Sequence, residues 1–359
     1  MDKRPVFTII TICYRRLGFL KDSLAAMFRQ SYQHLEIVIV DNGAIPEVYD
    51  YIMDLEKKDN RVKIVHFKEN QYRIDQPHYM NRVCLGAALK AATGEFVFYQ
   101  SDDDIISDDY VEKMVALFEG NPACTTAAGL VKDMDASGKL LPEGPRTTNF
   151  RPRYMPGHLL ALNTLSRDWP CIMFNAPGCI FSYRRKEFTA MGGFHPSLEF
   201  SALWGIVPFG VTGFDETAVL YWRRHEGQLN KLMNFHGGTP YDVTMELLQE
   251  WQIKKRWAEA FGEKLAQDVV ERITCSMSQN ATEWFAVSFY HLRFKACWFL
   301  LKILWLQPYF WRMVLPCLWK EKKEFKYYLK PKFRRLFEAH PKLVEKFPWL
   351  RPLQKRAFK

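Results

Sequence analysis

Apolar positions in this chain fall into short continuous runs separated by stretches of helical spacing. Residues 6–13 form a β-rich run, and residues 17–28 carry apolar side chains three and four apart. Residues 35–40 predict a second strand, which ends at Asp41-Asn42-Gly43. Residues 46–58 predict a helix, 62–67 a strand and 79–92 an amphipathic helix. Glu95-Phe96-Val97-Phe98-Tyr99 reads as a buried strand that runs into Ser101-Asp102-Asp103-Asp104. Alternation of this kind predicts a mostly parallel sheet with helices on both faces. Ligands of such sheets bind beyond the carboxyl ends of the strands, where Tyr14, Asp41 and Asp102–Asp104 fall.

The pattern thins downstream. Residues 132–158, rich in Pro, Gly, Arg and Lys, predict a long loop. Residues 180–183 and 219–223 predict strands, 184–191 a short helix stopped by Gly192-Gly193, and 241–283 helix. No internal repeat is evident.

Composition adds two constraints. The chain has 359 residues and eight cysteines, none in a CxxC pair, so neither a zinc site nor a disulfide framework is suggested and a reducing compartment is expected. The net charge is +10, but residues 285–359 hold 18 Lys and Arg against 4 Asp and Glu, so residues 1–284 carry −4. The basic character belongs to the C-terminal segment and needs a local cause. Residues 285–319 are dense in Trp, Phe, Leu and Tyr, interrupted by Arg293, Lys295, Lys302 and Arg312 and broken at Pro308 and Pro316. No uncharged apolar stretch reaches the ~20 residues that span a bilayer. Helices lying in a membrane interface fit this pattern, with basic side chains reaching anionic headgroups. A helical subdomain packed on the rest, or an oligomer interface, is the competing reading. The N-terminus lacks the apolar core of a signal peptide, so the expected location is cytoplasmic, peripheral on the inner face of the cell membrane.

The acidic run carries the chemistry. Three adjacent carboxylates at a strand end repel one another and are costly to desolvate. A hard divalent cation, Mg2+ or Mn2+, resolves that cost and bridges to phosphate oxygens. The alternative is an acidic loop leading into the next helix, since Asp108 and Asp109 follow.

Four blocks in order resemble a family-2 glycosyltransferase of the GT-A fold. They are Thr8-Ile9-Ile10-Thr11-Ile12-Cys13-Tyr14-Arg15-Arg16, the strand ending in Asp41-Asn42-Gly43-Ala44, Ala92-Thr93-Gly94-Glu95-Phe96 leading to Ser101-Asp102-Asp103-Asp104, and residues 220–230 around Arg223-Arg224-His225. Gly192-Gly193-Phe194 matches a further block, and the resemblance covers about residues 5–230. It implies an α/β, Rossmann-like, mixed and mostly parallel GT-A sheet flanked by helices over 1–235, with nucleotide-sugar binding in about 1–131 and the acceptor side in about 132–235. Residues 236–359 form a helical C-terminal extension.

The implied activity is metal-dependent inverting transfer from a UDP- or dTDP-sugar to a glycan or polyprenyl-linked acceptor in surface polysaccharide synthesis. Thr11, Tyr14, Asp41, Arg73, Asp102 and Arg224 are the implied nucleotide-sugar contacts. Asp103, Asp104 and His225 are the implied metal ligands, with Mn2+ or Mg2+ as cofactor. Of Arg223 and Arg224, one is expected to pair with phosphate and the other to be solvated charge. Glu199 is the implied general base, with Asp215 in reserve. Two departures stand out: Ser101 replaces the first aspartate of the usual Asp-x-Asp-Asp, and Leu198 replaces the first acid of the usual Glu-Asp pair. They leave a non-catalytic relative open as an alternative, as does a nucleic-acid- or membrane-binding protein built on the basic tail. No nucleic-acid-binding module accompanies that tail, so nucleic acid is not an expected partner. An oligomer is allowed. The absence of GxGxxG after the first strand argues against a dinucleotide-dependent dehydrogenase.

Overall fold

The computed structural model describes residues 4–73, 79–142, 153–165, 180–196, 198–228, 240–290, 294–305 and 308–320. These fall into two compact units. The first comprises residues 1–234 with 243–270, and the second 235–242 with 271–359.

The first unit is built on one sheet that, among the described residues, has nine strands, in the order Val62–Phe67, Leu35–Asn42, Phe7–Cys13, Phe96–Tyr99, Phe181–Arg184, Cys124–Asp135, Val211–Arg224, Ile105–Ile106, with Tyr154–Pro156 added beside Val211–Arg224. Strands β1 (Phe7–Cys13), β2 (Leu35–Asn42), β3 (Val62–Phe67) and β4 (Phe96–Tyr99) pair in parallel. Every residue of β1 and β2 is buried, which is what a parallel strand covered on both faces requires. Their helices are α1 (Leu17–Phe28), α2 (Pro46–Lys58) and α3 (Tyr79–Ala91). Pro46 starts α2, where its missing N–H costs nothing. Leu20, Leu24 and Met27 bury the core face of α1.

The other half is mixed. After β5 (Ile105–Ile106) and α4 (Tyr110–Gly120), β6 (Cys124–Asp135) runs parallel to β9 (Val211–Arg224). Strand β8 (Phe181–Arg184) bridges β4 and β6, antiparallel to both. Residues 132–158 are therefore not one loop. β6 continues to Asp135, a turn closes at Gly138, and β7 (Tyr154–Pro156) and α5 (Gly157–Thr164) follow. Residues 143–152 lie outside the described part. Alternating exposure along β6 hides it from a search for continuous apolar runs.

Helix α6 (Arg185–Ala190) ends at Gly192 and Gly193, both with positive φ, and α7 (Leu198–Ser201) follows. The helices Pro240–Glu250 and Ile253–Phe261 were expected in the C-terminal extension, yet residues 243–270 cluster with the sheet. Trp251 explains this, because Gly192 and Gly205 leave room for its ring; a Cβ on Gly205 would meet Cζ3 at 2.6 Å. Trp257 adds a hydrogen bond from its ring N–H to the Trp204 carbonyl, 2.9 Å.

The second unit is helical, with Phe294–Leu304 and Pro308–Lys320 after the long helix Glu263–Tyr290. Among the described residues, no helix is long and apolar enough to cross a membrane.

Candidate functional site

The site forms at the carboxyl ends of β1, β2 and β4. Gln100, fully buried, fixes the turn after β4: its amide donates to Ser23 Oγ at 2.8 Å and to the Asp104 carbonyl at 3.0 Å. Strand β5 then pairs with β9, Ile105 opposite Tyr221. That pairing brings the end of β9, and His225 just beyond it, against the acidic run. Two bonds from Arg223 hold the join. Its backbone N–H donates to Asp104 Oδ1 at 3.0 Å, and its Nε donates to the Asp103 carbonyl at 2.8 Å.

This divides the triplet differently from the sequence expectation. Asp104, expected as a metal ligand, is 1% exposed and spends a carboxylate oxygen on the β9 backbone. The carboxylates facing the site are Asp102 and Asp103. Both grip one guanidinium: Arg16 Nε donates to Asp102 Oδ2 at 3.2 Å, Nη2 to Asp102 Oδ1, and Nη1 to Asp103 Oδ2 at 2.5 Å. His225 completes the cluster, its Nε2 lying 2.9 Å from Asp103 Oδ2 and 3.3 Å from Arg16 Nη1. His225 Nδ1 accepts the Gly227 N–H at 3.1 Å, which places the ring proton on Nε2, aimed at Asp103. His225 therefore acts as a donor to Asp103 and ligates a cation through Nε2 only if that contact with Gly227 is released.

The charges are unevenly compensated. Burial pushes Asp102 up to about 7, against the attraction of Arg16 and helped by repulsion from Asp103. Asp103 is just as deeply placed, yet His225 and Arg16 outweigh burial and hold it below the usual carboxylate range. The same two carboxylates raise Arg16 against its own desolvation.

Metal fit follows from the donor chemistry. Asp102 and Asp103 are hard oxygen donors suited to Mg2+ or Mn2+, but Arg16 holds the oxygens such an ion needs. Among the described residues, no three acidic, histidine or cysteine side chains are arranged to hold a metal.

Asp41, at the end of β2, is fully buried. Its Oδ1 accepts the Ala44 N–H at 2.7 Å, which is the turn role, and its Oδ2 meets His66 Nδ1. His66 faces Asp41 by the β2–β3 register and carries no sequence signal of its own. Asn42 braces the neighbouring loop by accepting the Gln71 N–H at 2.8 Å. Gly43 has φ +63°, and a Cβ there would sit 2.6 Å from the Asn70 nitrogen. Tyr14 is 36% exposed, so its ring is not part of the core. Thr11 is buried, and its hydroxyl has no hydrogen-bond partner among the described residues. Arg73 is exposed and stacks over Tyr79, 4.2 Å from the ring centroid.

Neither arginine at the end of β9 is bare solvated charge. Arg223 is 1% exposed and also donates to the Ala136 carbonyl and Asp22, so it is a structural tie. Arg224 pairs with Asp133 at 3.3 Å and stacks on Trp222. Asp215 is not brought to the cluster. It lies nine positions before Arg224 on β9, about 30 Å at the ordinary strand rise, and caps a bulge by accepting the Thr217 N–H and hydroxyl at 2.9 and 2.6 Å. Glu199 is on α7, and its side chain lies outside the described residues. The residue that the sequence reading left without a role is Arg16. The signal for it was its place two positions past Tyr14, directly before α1.

The family model described as "Glycosyl transferase family 2" matches residues 8–186, about half of the chain. A glycosyltransferase of Haemophilus influenzae is 25% identical over 125 residues, 35% of this chain and 36% of that protein. The GalNAc(5)-diNAcBac-PP-undecaprenol beta-1,3-glucosyltransferase of Campylobacter jejuni is 26% identical over 100 residues, 28% of this chain and 30% of that protein. The chain thus spans about a third of the length of these curated relatives. Among solved structures, S. aureus TarS 1–349 in complex with UDP-GlcNAc aligns with a TM-score of 0.49 at 17% identity, over 74% of this chain and 70% of that chain. The fold is the expected α/β class, a mixed sheet flanked by helices. The matched segment contains the strands that deliver Asp41 and Asp102–Asp104, and on it the chain belongs to glycosyl transferase family 2.

Proposed function

We propose that this protein transfers a sugar from a nucleotide-sugar, a UDP- or dTDP-sugar, to a glycan or polyprenyl-linked acceptor during surface polysaccharide synthesis. The observation that carries the reading is the convergence of Asp102, Asp103, Arg16 and His225 beside the buried Asp41 at the ends of adjacent parallel strands. Asp41 recognises the base and Tyr14 flanks it. Asp102 and Asp103 would hold Mn2+ or Mg2+, which would supply positive charge beside the leaving diphosphate. His225 orients Asp103 through its Nε2–H. Arg224 and Arg73 supply phosphate contacts. Glu199 takes the proton of the acceptor hydroxyl, and the acceptor oxygen bonds to the anomeric carbon as the bond to the diphosphate oxygen breaks, with inversion.

The acceptor in the C. jejuni relative's name is linked through pyrophosphate to undecaprenol. A lipid-borne acceptor agrees with the C-terminal unit of this chain. Trp298, Trp305, Trp311, Leu315 and Trp319 are 51–72% exposed there, among the exposed basic side chains Lys302 and Arg312. Such a surface suits the interface of an anionic bilayer, with the protein on the cytoplasmic face.

The test is nucleoside diphosphate release from a panel of nucleotide-sugars with Mn2+ and acceptor extracts. One donor is expected to give turnover, and Glu199→Gln is expected to abolish transfer while donor binding survives. Wild-type turnover in that variant removes Glu199 as base, and no turnover with any donor favours the non-catalytic alternative. Co-sedimentation with anionic vesicles checks the membrane reading, which equal recovery with neutral vesicles would refute.

A further inference from the structure

Arg16 occupies the site in a specific way. Its guanidinium uses three nitrogens to engage three carboxylate oxygens, two on Asp102 and one on Asp103, and Nη1 also faces His225 Nε2 at 3.3 Å. These are the oxygens a divalent cation would take. The carboxylate side chains are 5% and 8% exposed, whereas the Arg16 side chain is 27% exposed. The acids are therefore fixed in the protein and the arginine is the partner with a route out.

Their surroundings fix them further. The Asp103 carbonyl is held by Arg223, and the turn is held by Gln100. Arg16 lies immediately before α1, so its side chain swings from a backbone anchored at the helix start, where the Leu20 N–H donates to the Arg16 carbonyl. Arg16 can leave without disturbing β4, and the acids cannot.

We propose that Arg16 is the resident counter-cation of the Asp102–Asp103 pair and competes with the divalent metal for it. In the donor-free protein the guanidinium neutralises two buried carboxylates that would otherwise repel each other without compensation. Metal entry requires Arg16 to withdraw, so part of the binding free energy of the ion is spent displacing it. Arg16 is accordingly a positioning residue that sets how tightly the metal binds. This rests on the reading of Asp102 and Asp103 as metal ligands.

The experiment is a Mn2+ titration of the full chain without nucleotide, following free Mn2+ by electron paramagnetic resonance. Four proteins are compared: wild type, Arg16→Ala, Arg16→Lys and the double variant Arg16→Ala/Asp103→Asn. Arg16→Ala is expected to bind Mn2+ at least about tenfold tighter than wild type, a coupling of about 1.4 kcal/mol. Arg16→Lys, which keeps the charge without the fork, should fall between them. The double variant should lose the gain.

A thermal melt gives a second readout. Without metal, Arg16→Ala should melt below wild type because the acid pair is uncompensated, and Mn2+ should raise its Tm more than that of wild type. Mn2+ affinity that is equal or weaker in Arg16→Ala, yet still lost with Asp103→Asn, overturns the competition and leaves the metal reading intact. Mn2+ affinity unaffected by Asp103→Asn overturns both.

Discussion

The molecule buries carboxylates at both ends of its parallel strands and treats them differently. Glu36, near the start of β2, is 5% exposed and meets only donors: Thr8 Oγ1 at 2.6 Å, the Thr93 N–H at 2.8 Å, the Thr93 hydroxyl at 2.7 Å, and Lys63. Burial pushes Glu36 up, yet Lys63, Thr8 and Thr93 outweigh it and hold it down at about 2. Asp102 and Asp103, past the end of β4, are as deeply buried but have another acid as neighbour and share one partly exposed arginine. Burial leaves Asp102 at about 7. A carboxylate that serves the fold is given every partner it needs by the protein. Asp102 is left short of positive charge, so that a ligand would gain by supplying it.

This contrast is broken most directly by neutralising one acid at each end. Asp102→Asn is expected to lower kcat by about a hundredfold or more, the usual loss when a group that organises transition-state charge is removed. Its stability should stay within about 1 kcal/mol of wild type, because a repulsion is lost together with the pairing to Arg16. Nucleoside diphosphate release and urea unfolding on the same preparation check both halves. A variant that turns over normally yet is destabilised by several kcal/mol would reverse the assignment.

Glu36→Gln should do the opposite. Its carboxyl falls from the ordinary 4.5 to about 2 in the fold, so its ionised form contributes stability above about pH 4.5 and loses it as pH falls towards 2. The shift corresponds to roughly 3 kcal/mol, and less once solvent screening of the half-exposed Lys63 is discounted. Urea unfolding should show Glu36→Gln less stable than wild type by roughly 2–3 kcal/mol at pH 7, with the gap roughly halved near pH 3. kcat should be unchanged. A gap undiminished at pH 3 would mean that the glutamate acts through shape rather than charge.

Legibility in the sequence follows the same division. The parallel half was readable because β1 and β2 are buried on both faces and its helices carry one apolar stripe. α1, α2 and β3 fall where the periodicity puts them. The mixed half was readable only in part: β8, α6 and the last stretch of β9 fall where expected, whereas β6 mixes buried and half-buried positions and the start of β9 lies before a bulge between Asp215 and Val219. Within the site, strand ends gave Asp41 and Asp102–Asp104. Which of the three acids faces the cleft depends on a backbone bond from Arg223 to Asp104, a contact 119 positions apart along the chain. His66 and Arg16 were missed for the same reason. Each acquires its partner through strand pairing or a helix start, not through a neighbour in sequence.

The smallest expected effect sharpens the contrast. Asp215 is a carboxylate near the surface whose Oδ1 accepts both the Thr217 N–H and its hydroxyl. An asparagine keeps an acceptor oxygen in that position and changes only the charge. Asp215→Asn is therefore expected to cost under about 0.5 kcal/mol and to leave kcat within about twofold of wild type. The measurement is steady-state release of nucleoside diphosphate across pH 6 to 9, because a general base that is removed flattens the acidic limb of the profile. A flattened limb in Asp215→Asn, with the limb retained in Glu199→Gln, would move the base from α7 to the bulge of β9. That would require β9 to bend its bulge towards Asp103, against the register that pairs Asp215 with Gly129.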